Sequence, residues 1–395
     1  MKKQNSSTEM SPMKQALQAI QQLKARVIEL ESTGIEPIAV VSMGCRFPGD
    51  NTNPSRLWEN LRNGQDAITE IPKDRWDVDS FYDPDPDVPG KMYTKFGGFL
   101  DKVDHFDPAF FGISAREAAS MDPHQRLLLQ TIWESLEFGG IDPNSIYGSK
   151  TGVYVGVSNF EYGSHLLFPN NPSNISTYSG TGGSMGVTAG RVSYTYGFTG
   201  PSIMVDTACS SSLVTTHLAM NALRNGECDI ALSAGVNLFF GPNTFVNFSK
   251  AKMLAPDGHC KTFSAEADGY ARGEGVGVLV LKRLSDAKKD GDNIIALLRG
   301  SAVNQDGPSG GLTVPNGPSQ VSVIQDALKN AGIEPAQVGY VEAHGTGTKL
   351  GDPIEISALD KVFSKNRDKQ TSPLRVSSIK TNIGHLESAA GIAGL

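Results

Sequence analysis

From residue 151 to residue 343, short apolar runs alternate with segments of helical length, and this alternation limits the possible folds more than any other feature of the chain. The runs at 151–157, 203–205, 230–236, 276–281, 294–300 and 338–343 read as strands. The segments 184–197, 210–224 and 320–330 between them read as helices. Strands separated by helices imply βαβ units and mostly parallel pairing. Upstream, 38–44 reads as a buried strand and 126–138 as a buried helix, opened by Asp122-Pro123. Residues 72–100, dense in proline, aspartate and glycine, read as a long structured loop. At 395 residues there is room for two large α/β halves, and 43 glycines spread along the chain suit a loop-rich enzyme.

Several classes drop out. Lys plus Arg is 35 against 42 for Asp plus Glu, a net charge of −7, which argues against binding nucleic acid by bulk charge. No apolar run reaches the roughly 18 residues of a membrane span, and the basic start lacks the apolar core of a secretory signal. The four cysteines, Cys45, Cys209, Cys228 and Cys260, form no CxxC pair, so neither a zinc ribbon nor a disulfide framework is indicated. A reducing cytoplasm is the expected location.

Near the start, Met13, Ala16, Ile20, Leu23, Val27 and Leu30 recur at alternating steps of three and four. This is a short heptad seam. A helix of this length is marginal alone in water, so the seam is expected to pair with another chain.

The richest segment is Val205-Asp206-Thr207-Ala208-Cys209-Ser210-Ser211-Ser212-Leu213. A buried strand ends, a cysteine follows, and a helix opens on small polar residues. The free N–H groups at a helix start favour a thiolate, and a sharp turn exposes the sulfur, which is the logic of a nucleophile elbow. The other three cysteines read as small buried hydrophobes. A thiol nucleophile needs donors or proton carriers. Of the seven histidines, His344 and His385 sit at strand or loop ends among glycines, where a side chain can reach a pocket. His105, His124, His165, His217 and His259 lack that setting, and His217 reads as structural. A Cys/His/His zinc site is a weaker alternative, because its ligands would all come from remote segments. The stretch 179–186 resembles a phosphate loop but lacks its Lys-Ser/Thr ending and a preceding strand, so tight packing explains its glycines better.

Three segments carry a family resemblance: 206–213 around Cys209, Glu342-Ala343-His344-Gly345-Thr346-Gly347-Thr348, and Lys380-Thr381-Asn382-Ile383-Gly384-His385. They resemble the three active-site motifs of β-ketoacyl synthases, nearest to the ketosynthase domain of modular type I polyketide synthases. The opening Glu36-Pro37-Ile38-Ala39-Val40-Val41-Ser42-Met43-Gly44-Cys45-Arg46-Phe47-Pro48-Gly49 looks like that group's domain start. Met121-Asp122-Pro123-His124-Gln125-Arg126 and Gly351-Asp352-Pro353-Ile354-Glu355 agree with it. The likeness runs from Glu36 to Leu395, and residues 1–33 resemble the tail and docking helix that start many such polypeptides.

The resemblance implies a thiolase-like α/β fold, with two related βαβ-containing halves in αβαβα layers, and a homodimer. It implies that Cys209 takes an acyl chain from an acyl carrier protein, and that a malonyl-type extender then loses carbon dioxide and attacks that acyl group. His344 and His385 would stabilise the enolate, with Lys380 as supporting cation. No cofactor or metal would be bound directly; phosphopantetheine would be carried by the partner. Residues 13–30 would meet an upstream or downstream synthase polypeptide, and neither nucleic acid nor membrane is an expected partner. The family's domain continues past Leu395 to a glycine-rich loop bearing a second oxyanion donor and a gating phenylalanine, so the ketosynthase segment 34–395 is expected to be C-terminally incomplete. The alternative function is a non-condensing ketosynthase-like scaffold that docks or gates carrier proteins. The presence of Cys209, His344 and His385 together favours catalysis. Phe239, Phe240 and Met185 are candidates for shaping the acyl chain.

Overall fold

A computed structural model describes Ile20, Gln21, Lys24, residues 36–365, Arg367 and residues 372–395. The expected docking seam over 13–30 therefore lies outside the described residues, apart from Ile20, Gln21 and Lys24.

The strands are β1 Ile38–Arg46, β2 Ile68–Glu70, β3 Phe96–Gly98, β4 Thr151–Gly156, β5 Ser202–Val205, β6 Ile230–Asn237, β7 Gly275–Arg283, β8 Ala296–Leu298, β9 Tyr340–Glu342 and β10 Arg375–Ser377. Six of them form one sheet in the order β5-β4-β6-β7-β1-β8. β4 pairs parallel with both β5 and β6, as the βαβ pattern requires. The expectation of mostly parallel pairing fails for the rest, because β7 is antiparallel to β6 and to β1, and β8 is antiparallel to β1. For β6 and β7 the cause is the connection between them. The chain leaves at Asn237 and re-enters at Gly275, which lies directly opposite it, so it returns at the same end of the sheet without crossing over.

Both faces of the four inner strands β4, β6, β7 and β1 are covered, which is why they read as continuous apolar runs rather than alternating ones. The edge strands differ: β5, expected to be a buried strand, leaves Ser202 and Ile203 exposed, and β8 leaves Ala296 and Leu297 exposed. Val153, Val155, Leu232, Val278 and Val280 face the helix Pro123–Phe138, through Leu128, Ile132 and Leu136, and the helix Val187–Tyr196. Tyr154, Ala231, Leu279 and Leu281 face the other way, onto Met220 and Leu223 of the helix Ser211–Arg224 and onto Ala389, Ala390 and Ile392. Beyond that middle layer, Gly394 lies against Glu342 of β9. β9 pairs parallel with β10, and this second sheet packs under the helices Gly317–Ala331 and Gly351–Phe363 through Val341, Val376, Leu359 and Phe363. The layers therefore run αβαβα, the expected thiolase-like order.

Asp122 caps the Pro123–Phe138 helix by accepting from the His124 N–H at 2.9 Å. His124 is structural: it bonds Asp122 at 2.7 Å and accepts from the Leu238 N–H at 3.0 Å. His217 bonds Ser301 and Asn221. The glycines at 179–186 serve packing, as expected, since a Cβ on Gly182 would fall 1.8 Å from the Ser120 carbonyl oxygen. The segment 72–100 carries β3, which pairs with β2, and buries Met92, Tyr93 and Phe99. Arg75 and Glu274 fasten it to the sheet. Glu274 is fully buried and accepts from the Arg75 guanidinium at 2.7 and 2.9 Å and from the Leu100 and Phe239 N–H groups at 2.9 Å. Arg75→Met leaves this carboxylate buried without its cation. We expect a loss of about 3–5 kcal/mol in stability, read by chemical denaturation; a loss below 1 kcal/mol would contradict the fastening role.

Candidate active site

The turn after β5 is built by local hydrogen bonds. Asp206 accepts from the Ala208 N–H at 3.0 Å, and the Ser211 hydroxyl accepts from the Thr207 N–H at 2.9 Å while donating to the Ala208 carbonyl at 2.7 Å. Ala208 is held at φ +54°, in the left-handed region that an L side chain avoids. That strained residue throws Cys209 onto the single 3-10 turn Ala208–Ser210, which leads into the Ser211–Arg224 helix. The elbow is therefore present, with its strain one residue before the sulfur.

His344 comes from the far sheet. Its loop after β9 is held by two carboxylates of the Gly351–Phe363 helix. Glu355 accepts from the His344 N–H at 2.7 Å and the Gly345 N–H at 2.8 Å, and Asp352 accepts from the Gly347 and Thr348 N–H groups at 3.1 and 3.2 Å. Gly345 sits at φ +45°, and a Cβ there would meet Thr262 at 2.6 Å, so only glycine makes this turn without strain. His385 is brought up by the middle layer. Ser212 accepts from the Ile392 N–H at 3.0 Å and Ser388 donates to the Val236 carbonyl at 2.7 Å, which seats the 387–394 segment beside the Cys209 helix.

These elements bring Cys209, His344 and His385 together, with their ligating-type atoms all within 4.8 Å of one another. The two imidazole rings lie edge to face, 5.4 Å apart at 88°. His385 is buried. Its Nδ1 accepts from the Glu387 N–H at 2.9 Å, so the hydrogen of the neutral ring sits on Nε2, which is the nitrogen left to act as a donor. Burial pushes its pKa well below the ordinary value, reinforced by the Lys380 cation. Burial and then Lys380 push His344 down to about 4. His344 is open to solvent through the cavity, so lost hydration weighs less on it than on the fully buried His385, though its shift runs in the same direction. Both rings are neutral at pH 7. Lys380 is itself buried, which lowers its pKa against the pull of Glu342.

By distance alone the three groups could hold a metal ion. The donor set does not fit one, because a metal ligand must present an unprotonated nitrogen and His385 presents Nε2–H. The adjacent Lys380 also repels a cation. The residues fit the reverse task of donating hydrogen bonds to a developing negative charge.

The expectation for the Cys209 thiol needs correction. Its helix-start N–H and Lys380 do favour the thiolate, but burial outweighs them and the pKa is raised. Cys45, Cys228 and Cys260 are buried, and their thiols are pushed up to about 12, 11 and 11. Cys209 is half-buried and lines a cavity of about 1380 Å³ together with His344 and His385. Iodoacetamide is therefore expected to alkylate Cys209 first, through access. Its rate should still be climbing at pH 9, because the thiolate fraction of a thiol with a raised pKa keeps growing there. A plateau below pH 8, or earlier labelling of another cysteine by mass mapping, would contradict this assignment.

Phe160, Phe248 and Leu254 supply apolar wall to the cavity. Phe239, expected there, is fully buried in the core, and neither Phe240 nor Met185 lines the cavity. Sequence reasoning did not single out Glu355, Asp352, Tyr270, Arg272 or Glu387 as site residues. The first two lay in a quoted motif, eleven and eight positions after His344; the others become legible only once the segments meet.

Residues 35–287 match the β-ketoacyl synthase N-terminal domain and residues 295–395 match the C-terminal domain. The chain is 53% identical over 361 residues to the pikromycin polyketide synthase component PikAII of Streptomyces venezuelae, covering 91% of this chain and 10% of that protein. It is 51% identical over 384 residues to the phenolphthiocerol synthesis polyketide synthase type I Pks15/1 of Mycobacterium bovis, covering 97% of this chain and 18% of that one. Among solved structures, the oxazolomycin ketosynthase domain OzmH KS7 of Streptomyces albus superposes with a TM-score of 0.85 at 42% identity, covering 91% of this chain and 62% of that one. The module 6 ketosynthase of the Bacillus subtilis bacillaene synthase does so with a TM-score of 0.82 at 44% identity, covering 91% and 60%. The chain thus spans less than a quarter of these curated relatives and about three-fifths of the solved chains. With the motifs in order, the fold shared and the family domains matched over most of its length, the chain belongs to the β-ketoacyl synthase family, as a ketosynthase of the modular type I polyketide synthase kind.

Proposed function

We propose that this chain carries the condensing activity of a polyketide synthase. The observation that supports the reading best is the convergence of the Cys209 sulfur with two neutral imidazoles at the wall of one large cavity. In the first half-reaction the Cys209 sulfur attacks the acyl thioester carbonyl of a carrier-protein phosphopantetheine. The carbon–sulfur bond to phosphopantetheine breaks, and the thiol proton ends on the departing sulfur. The N–H of Cys209 at the helix start is placed to receive the oxyanion.

In the second half-reaction a malonyl-type thioester loses carbon dioxide. The electron pair of the broken bond becomes an enolate, whose oxygen accepts hydrogen bonds from His385 Nε2–H and from His344. The enolate carbon attacks the acyl-Cys209 carbonyl and expels the thiolate, giving a β-ketoacyl thioester on the carrier protein. The surrounding low-polarity wall strengthens each of these hydrogen bonds. Burial, reinforced by the Lys380 cation, keeps both rings neutral.

The partners in this reading are an acyl carrier protein bearing phosphopantetheine, a second copy of the chain, and another synthase polypeptide met through residues 13–30. Ketosynthase chemistry is assigned to 34–395. The scaffold alternative draws no support from a site in which all three groups are present and adjacent. The test combines intact-mass detection of acyl-Cys209 with release of labelled carbon dioxide from a malonyl carrier-protein thioester. Absence of both from the wild-type protein would refute the reading.

A further inference from the structure

We propose that the ion pair between buried Arg272 and half-buried Glu387 is a positioning device for His385, locking the left-handed backbone turn whose N–H caps the ring's Nδ1. The inference rests on the condensing role proposed above and adds residues to it.

Four observations converge. Glu387 lies at φ +49°, a conformation that a long L side chain adopts only when its surroundings hold it there. Its N–H is the group that donates to His385 Nδ1 at 2.9 Å. Its carboxylate is gripped by Arg272, from Nε at 2.5 Å and from Nη2 at 3.0 Å. Arg272 is almost wholly buried, and its guanidinium lies over the rings of Phe239, Phe245 and Phe248 at 4.1, 4.4 and 5.0 Å.

The Arg272 segment also holds the His385 backbone. His385 N–H donates to the Ala271 carbonyl at 2.7 Å, and its carbonyl accepts from the Gly273 N–H at 2.8 Å. One short stretch thus fixes the main chain of His385 directly and its ring through Glu387. With the Glu387 N–H aimed at the ring, the left-handed φ is what carries the chain onward into the Ala390–Gly394 helix while its side chain reaches Arg272. The carboxylate bonds Arg272 and makes no hydrogen bond to the ring. Arg272 and Glu387 are positioning residues, because they act through the tautomer and orientation of His385.

This predicts a specific pattern of rescue. Arg272→Met/Glu387→Ala removes the pair without stranding a charge but leaves an L side chain in the left-handed turn. Carbon dioxide release should fall by about 10-fold or more, the size of loss seen in metal sites when the partner that orients a histidine is removed. Acylation of Cys209, followed by intact mass, should persist. Arg272→Met/Glu387→Gly also lacks the pair, but glycine takes the left-handed conformation freely, so most of the lost release should return. In the imidazole ¹⁵N spectrum, His385 should show an unprotonated Nδ1 in the wild-type protein, a mixed pattern in the alanine double variant, and the wild-type pattern again with glycine.

Equal rates and equal spectra for the two double variants would overturn the proposal, whether both are fast or both slow. If the alanine variant fails to fold, Arg272→Lys provides the second test. It keeps the charge but loses the two-pronged grip, and unchanged release with an unchanged His385 spectrum would also overturn the proposal. The spectrum needs no turnover, so a wild-type protein that releases no carbon dioxide would sink the condensing role while leaving the positioning claim to be judged by ¹⁵N shifts.

Discussion

Cys209→Gln is expected to eliminate acyl-enzyme entirely while carbon dioxide release from a malonyl thioester continues at or above the wild-type rate. The two half-reactions demand different groups. Acyl transfer forms and breaks a bond to sulfur, and no other cysteine can take over, because Cys45, Cys228 and Cys260 are buried. Loss of carbon dioxide needs only an environment that stabilises the enolate oxygen. His344 and His385 supply that environment, and neither draws its charge state from the sulfur: burial and Lys380 are the leading causes for both. The glutamine amide occupies the site of the acyl carbonyl and can itself donate hydrogen bonds, which is why release could rise. The measurement is intact mass after exposure to an acyl carrier thioester, in parallel with trapped labelled carbon dioxide. If the variant stopped release as completely as loss of a histidine, Cys209 would have a part in forming the enolate and the division of labour would be wrong.

The sequence made the Cys209 elbow legible because everything that defines it is contiguous. The end of a strand, one cysteine and the start of a helix fall within nine residues, 205–213. The elbow's chemistry was less legible. Sequence shows the helix start that favours a thiolate but not the burial that opposes it, and burial is the larger effect. The sense of the sheet was hidden for a similar reason. Apolar periodicity marks β7 as a strand, but its antiparallel pairing depends on where a long excursion returns, and Gly275 opposite Asn237 is a fact of tertiary structure. Phe239 shows the limit at a single side chain: the residue type suited an acyl pocket, and the fold instead turned it onto Arg272. The partners Arg272 and Glu387 stand 115 residues apart; Glu387 follows His385 by two positions, but nothing local points from it to Arg272.

His344→Ala is expected to give the inverse of the cysteine variant. Cys209 should still accept an acyl group, because the attacking sulfur, its turn and the helix-start N–H are all held by residues 206–211. Carbon dioxide release should drop, since one of two donors to the developing oxyanion is gone. A single such donor contributes roughly 3–4 kcal/mol in the transition state, or about 10²–10³ in rate. The truncation should be well tolerated by the fold. The ring faces the cavity, and the loop that carries it is fixed through its backbone by Glu355 and Asp352 rather than through the imidazole. His385→Ala should lower release by a similar factor, because its Nε2–H addresses the same charge. It should carry an added stability cost, since that ring is buried against Tyr270 and caps the Glu387 N–H. The pair of variants thus separates two roles that a single activity assay would merge. A His344→Ala melting temperature equal to that of the wild type, with release lowered, would tie His344 to the chemistry. A large loss of acylation in His344→Ala, with the fold intact by thermal melt, would move that histidine from enolate stabilisation to activation of the thiol.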